Sequence, residues 1–189
     1  MLGWARNSAR ASRFEHDREQ MIVKLEDMSY HDAVTGLPRR ALILDRLQMA
    51  LAQAQRDHGV VGLLFIDLDG FKRLNDEHGH AAGDAMLRFV ADQLGASLRG
   101  SDSAGRYGGD EFLVVLPGCS DARALAQLGA RFLAAATAEL TWQGQVLTVG
   151  ASLGGALYPT NASDSPGLVV AADKAMYRAK QGGGGYVAA

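Results

Sequence analysis

Cysteine is almost missing from this chain: Cys119 is the only one in 189 residues. That excludes an intrachain disulfide framework, and the thiol reads as a small hydrophobe beside a turn, in a reducing compartment. No run of about 18 or more apolar residues occurs, so the sequence offers no membrane span. Met1 to Arg13 has scattered arginines but no apolar stretch, which is not the pattern of a secretory signal. Charge of one sign is lacking too. A net charge of −2 provides no global field for nucleic acid or an anionic membrane, so any anionic ligand must be held by local groups. The expectation is a cytoplasmic protein, or the cytoplasmic part of a longer sensor, making no contact with nucleic acid or membrane through this segment. Several catalytic patterns are also missing. There is no Gly-x-x-x-x-Gly-Lys-Ser/Thr phosphate loop and no zinc spacing around His78-Gly79-His80. Although Gly150-Ala151-Ser152-Leu153-Gly154 has the spelling Gly-x-Ser-x-Gly, Ser152 sits within an apolar strand run rather than at a strand-to-helix elbow, so a serine hydrolase has no support.

The 48% of hydrophobic residues suffices for one core, a domain of about 150 residues with an extension. Residues 1–30 differ in character from 31–189, being polar, charged and poor in glycine after Gly3. On a heptad, Trp4, Ala11, Arg18 and Leu25 share one seam position, and Asn7, Phe14, Met21 and Met28 the other. This is either a coiled-coil seam with two polar interruptions or an amphipathic helix lying on its own domain.

Beyond a turn at Asp32 to Pro38, the apolar spacing of Leu42, Leu44, Leu47 and Leu51 predicts a helix from Pro38 to about Arg56. The nearly all-apolar run Val60 to Leu68 predicts a central strand covered on both faces. Helices are expected at Gly70 to Glu77, Gly83 to about Leu98, Asp121 to about Glu139 and Ser165 to Lys180. A hairpin should turn at Gly108-Gly109, a long strand should run from Val146 to about Tyr158, and Gly182 to Gly185 should leave a loose tail. The order suggests an α+β fold, a mainly antiparallel sheet with helices on its faces.

Two features carry chemistry. Asp67-Leu68-Asp69 closes the central strand, where a rigid element can aim carboxylates. The run Arg106-Tyr107-Gly108-Gly109-Asp110-Glu111-Phe112 puts two more acids at a tight turn. If that hairpin lies beside the strand, Asp110 and Glu111 approach Asp67. Three converging acids repel one another unless a hard cation neutralises them, and Mg²⁺ takes oxygen ligands from few protein groups, with water and phosphate completing the shell. Gly70-Phe71-Lys72 then opens a helix, whose free N–H groups suit phosphate.

Gly108-Gly109-Asp110-Glu111-Phe112 is the signature of the GGDEF, or diguanylate cyclase, family, and the chain resembles that family in five ordered blocks. The others are Asp32 to Arg40, Asp67 to Asp84, Arg99 to Asp102 and Ala172 to Lys180. The resemblance implies a fold like the nucleotidyl cyclase/polymerase palm. It also implies a catalytic domain over residues 31–189 and an N-terminal signalling and dimerisation helix over 1–30. The implied activity is condensation of two GTP into cyclic di-GMP and two pyrophosphates by a homodimer. Mg²⁺ (or Mn²⁺) would be held by Asp67, Asp110 and Glu111 with the Leu68 carbonyl, and the general base would be Asp110 or Glu111. GTP would be held at Gly108 and Gly109, with Gly70, Phe71, Lys72 and Lys180 on its phosphates and Asn75 and Asp84 reading guanine.

Arg99 and Asp102, at the family's Arg-x-x-Asp spacing ahead of Gly108, would bind cyclic di-GMP as an inhibitory product; a local arginine–aspartate pair is the plainer alternative. One departure stands out. Gly183-Gly184-Gly185 replaces the family's Gly-Arg-Asn, removing a phosphate contact of about 1.5–3 kcal/mol. Gly70, where many relatives carry a bulkier residue, is a smaller one. The competing functions are a cyclic di-GMP receptor without catalysis, and a cyclase making cyclic GMP or mixed dinucleotides.

Overall fold

The computed structural model describes residues 30–189, so the heptad seam of residues 1–30 lies almost wholly outside the described residues. Strand β1 (Val61–Asp69) is the middle of a five-stranded sheet, and eight of its nine residues are buried. Its neighbours are β3 (Glu111–Pro117) and β6 (Gly150–Tyr158), both antiparallel to it. Outside β3 lies β2 (Ser103–Gly108), and outside β6 lies β7 (Gly185–Ala188), the one parallel neighbour in the sheet. This is the expected α+β sheet, mainly antiparallel.

Helices cover both faces because alternate residues of the central strands are apolar on both sides. Leu64, Ile66, Phe112 and Val114 pack beneath α3 (His80–Ala96) and α4 (Ala122–Ala136), with Met86, Val90, Leu125 and Phe132 in the same cluster. On the other face Leu63, Phe65, Leu113 and Val115 meet α1 (Arg40–Asp57) and α5 (Ser165–Gln181) through Ile43, Leu47, Leu168 and Met176. A short helix α2 (Phe71–His78) follows β1 directly. The start expected at Asp121 is capped, its side chain accepting from the Ala124 N–H at 2.8 Å, and the structure adds a second cap at Asp164, which accepts from the Gly167 N–H at 2.7 Å.

Three details differ from the sequence reading. The long strand expected from Val146 is broken: β4 (Leu140–Trp142) and β5 (Gln145–Leu147) form a separate hairpin, and β6 begins only at Gly150. The apolar run from Val146 to Tyr158 is nearly continuous in sequence, and nothing local marks the bend at Thr148-Val149. The expected loose tail is the edge strand β7, held by Tyr186, whose ring fills space left over Gly129 and Gly155. The β2–β3 hairpin turns on Gly109-Asp110, not on Gly108-Gly109: Gly108 is paired with Glu111, and only Gly109 has the left-handed φ, 51°.

Candidate active site

The acids gather at the end of β1. Asp67 faces Glu111 across the β1–β3 ladder, and the Leu68 N–H donates to the Asp110 carbonyl at 3.2 Å, fixing the hairpin turn against the strand end. Asp67 is 8% exposed, the only buried acid among the described residues. Burial raises the pKa of Asp110 above the usual aspartate value, and the Asp67 carboxylate adds to the shift. Glu111 is raised in the same way, by burial first and then by Asp67 and Asp110. The expected convergence of Asp67, Asp110 and Glu111 is therefore present as mutual repulsion. Among the described residues, however, no three His, Cys, Asp or Glu side chains already surround one cation position.

A cation of the protein's own stands there instead. Lys180, in the last turn of α5, donates from Nζ to Asp67 Oδ1 at 2.6 Å. That hydrogen bond raises the lysine's pKa, against the opposing effect of burial. Asp69, two residues on, accepts from the fully buried Ser152 hydroxyl at 2.8 Å.

Of the predicted nucleotide-binding residues, Gly70, Phe71 and Lys72 follow the acids of β1 directly. Gly70 caps α2 with φ 80°, Phe71 packs into the core behind it, and Lys72 is exposed in the first turn. Asn75 packs against α3 in the α2–α3 hairpin: a Cβ at Gly83 would overlap the Asn75 side-chain oxygen, so only glycine admits this approach, one residue before Asp84. Since α3 begins at His80 rather than Gly83, half-buried Asp84 lies in its second turn, past the reach of helix-dipole stabilisation. The Asn75 side chain makes no cap; the Gly79 N–H bonds the Asn75 carbonyl.

Gly184 has φ 99°, and a Cβ there would come within 3.2 Å of Asp69 Oδ2 and 3.3 Å of the Ala151 carbonyl. The glycine run is thus a conformation that a side chain resists, and an arginine could not simply be restored there. Arg99 and Asp102 lie apart from the acids, at the other end of β2. There the Asp102 carboxylate accepts from the Arg99 N–H at 2.9 Å, while the Asp102 N–H bonds the Arg99 carbonyl at 3.0 Å. The two residues form a local turn through backbone groups.

Sequence reasoning missed Arg106. Its NH1 bonds Asp32 Oδ1 at 2.8 Å, and its Nε and NH2 bond the Gly109 carbonyl at 2.9 and 2.6 Å, next to Asp110. Its backbone N–H also bonds the Pro38 carbonyl at 2.8 Å. Asp32 is held further by the Thr35 N–H and hydroxyl, both at 2.9 Å. Burial pushes the Asp32 pKa up, but the Arg106 and Thr35 bonds outweigh it and hold the carboxyl below its usual value. Its only signal in sequence was an arginine beside the turn and an aspartate 74 residues earlier.

Comparison with known proteins follows the same lines. The family described as Diguanylate cyclase, GGDEF domain matches residues 29–185. The bifunctional diguanylate cyclase/cyclic di-GMP phosphodiesterase MucR of Pseudomonas aeruginosa is 38% identical over 183 residues, 96% of this chain and 26% of MucR. A structure of TpbB (YfiN) from Pseudomonas aeruginosa comprising only the GGDEF domain aligns with TM-score 0.81 at 37% identity, covering 84% of this chain and 94% of that one. The coiled coil and GGDEF domain of DgcB from Caulobacter crescentus, in complex with c-di-GMP, aligns with TM-score 0.85 at 27% identity, covering 98% of each. The chain spans 21%, 26% and 26% of the length of the first three curated relatives, which are much larger proteins. On the matched residues and these likenesses, the chain belongs to the GGDEF family of diguanylate cyclases.

Proposed function

We propose that this chain condenses two GTP into cyclic di-GMP and two pyrophosphates, residues 31–189 forming the catalytic domain and residues 1–30 a helix that sets dimer geometry. The observation that carries the reading is the buried Asp67 facing Glu111, with Asp110 in the adjoining turn. In each half-reaction a ribose 3′-oxygen forms a bond to the α-phosphorus of the other GTP. The bond from that phosphorus to pyrophosphate breaks, and the hydroxyl proton passes to Asp110 or Glu111. Asn75 and Asp84 hold guanine, Gly108 and Gly109 let the nucleotide lie against the turn, and the opening turn of α2 with Lys72 and Lys180 takes the phosphates.

Members of this family generally use divalent metal ions. The donor set fits one, because Asp67, Asp110, Glu111 and the Leu68 carbonyl offer only oxygen, and crowded carboxylates gain from a cation between them. Bound there, Mg²⁺ or Mn²⁺ would supply Lewis-acid stabilisation of charge on the transferring phosphate. Each subunit holds one GTP, so the reaction needs a facing partner and catalysis depends on proximity. Arg99 and Asp102 would bind the product and inhibit. Among the described residues no helix is long and apolar enough to cross a membrane.

A second reading has one observation in its favour: glycine at 184 removes a phosphate contact, as a receptor of cyclic di-GMP without catalysis could tolerate. Purified protein, stripped of bound cyclic di-GMP and incubated with GTP and Mg²⁺, distinguishes them. Cyclic dinucleotide that disappears in Asp110→Ala establishes the cyclase. No product across a wide protein range, with cyclic di-GMP still bound, establishes the receptor. Competition by ATP tests the base.

A further inference from the structure

Burying a carboxylate as deeply as that of Asp67 is costly unless a cation or hydrogen-bond donor meets it. The partner here is Lys180, whose side chain is 47% exposed while that of Asp67 is 11% exposed. One end of this ion pair is fixed in the central strand, and the other is carried on a flexible four-carbon stem open to solvent. The exposed stem can move; the strand-bound acid cannot. An ammonium 2.6 Å from Oδ1 already compensates Asp67 and repels any second cation brought to the same carboxylate. Asp67 is still the strongest like charge acting on Asp110 and on Glu111, and no group of three acids is assembled for a cation among the described residues.

We propose that Lys180 is the site's internal counter-ion, which holds Asp67 in the nucleotide-free protein and releases it only when triphosphate oxygens arrive to accept its ammonium. Divalent-cation capture is then conditional on nucleotide: the lysine exchanges one anionic partner for another, and the freed carboxylate takes the incoming cation. The protein avoids collecting bare divalent ions, and an acid at the centre of the fold is never left uncompensated. This inference rests on the nucleotide-binding reading above for what displaces the lysine, but not for the first half of the exchange.

The test is titration of Mn²⁺ into nucleotide-free protein, followed by electron paramagnetic resonance. Lys180→Met should bind Mn²⁺ at least about tenfold tighter than the unsubstituted protein, because one repelling charge is gone. Lys180→Arg, which keeps the charge, should match the unsubstituted protein. The gain should vanish when Asp67→Asn is combined with Lys180→Met, which assigns it to this pair. Adding a non-hydrolysable GTP analogue should tighten Mn²⁺ binding more in the unsubstituted protein than in Lys180→Met.

Equal or weaker Mn²⁺ binding by Lys180→Met overturns the proposal, as does a tightening by nucleotide that is the same in both proteins. If Lys180→Met melts before it can be titrated, Lys180→Gln is measured under the same criteria. Failure to make cyclic dinucleotide from GTP would overturn the cyclase reading while leaving the nucleotide-free titration to decide the counter-ion.

Discussion

The two ends of β2 carry acid-bearing turns that are built in opposite ways. At its start, Asp102 is held by backbone groups only three residues away. At its end, the turn bearing Asp110 is held by Arg106, which reaches back to Asp32, and by the N–H of Leu68 from the central strand. One turn is self-contained and exposed. The other is woven from three segments and pressed against buried acids. A self-contained turn can meet a ligand by changing only itself, which suits a regulatory contact. A woven turn keeps its carboxylates where the fold puts them, even at an electrostatic cost, which suits chemistry.

The largest blow to this contrast should come from Arg106→Ala. Asp32 loses a charge-assisted bond and the Gly109 carbonyl loses its clamp, costing about 1.5–3 kcal/mol of stability. Because the arginine clamps the Gly109 carbonyl next to Asp110, kcat should fall by roughly 10- to 100-fold with KM for GTP little changed. Arg106→Lys should recover only part of this, since an ammonium cannot serve both acceptors in one plane. Thermal melts and steady-state kinetics on the same preparations check both halves. A fall in stability with unchanged kcat would leave Arg106 a purely structural bond.

Next comes pH. Asp110 and Glu111 are raised, so on acidification they protonate before ordinary carboxylates and cease to serve as ligand or base. Proton competition with divalent-cation binding to the nucleotide-free protein should therefore set in above the usual carboxylate range, and Glu111→Gln should change the shape of that pH profile. The stability effect has the opposite sign. The metal-free native state binds these protons more tightly than the unfolded chain, so their contribution grows as pH falls and is lost as pH rises through the raised values. Asp32, with its lowered pKa, adds stability above its unfolded value that disappears as pH falls through the folded one.

A smaller effect is expected from Gly184→Ala. A side chain forced to φ 99° beside Asp69 should cost about 1–3 kcal/mol, seen as a lowered Tm. Gly184→Arg should fare no better in GTP affinity, despite its added charge. Smallest of all on basal turnover is Asp102→Ala, within about twofold, because its turn is exposed and local. Loss of inhibition by added cyclic di-GMP in that variant would complete the contrast between the two ends of β2; retained inhibition would remove Asp102 from the product site.

Much of this was legible because the relevant signals were local. The apolar run ending in Asp67 announced a buried strand with acids at its end, and Asp121 announced a helix start. What escaped depends on contacts distant in sequence. Arg106 stood in plain view before the turn, but its partner Asp32 belongs to another segment, and no periodicity joins them. Strand β7 opens on the last of three glycines with left-handed φ, a composition that argues for coil, and it exists because Tyr186 has a slot over Gly129 and Gly155 to fill. The break at Thr148-Val149 was hidden because the run is apolar on both sides of it. Asn75 and Asp84 were found by resemblance, but the approach of Asn75 to α3 depends on Gly83, whose meaning emerges only once α2 and α3 fold back on each other.

The guanidinium of Arg106 is flat and stiff, and it grips the opening segment with one edge and the hairpin with the other. It is therefore a yoke. Tyr30 lies on the same bonded path, since its carbonyl accepts from the Arg39 N–H at 2.7 Å, and Arg39 pairs with Arg106 as a β-bridge. A small rotation applied at Tyr30 would arrive at the Gly109 carbonyl as a tilt of one rigid plane, with no need for the sheet between them to bend.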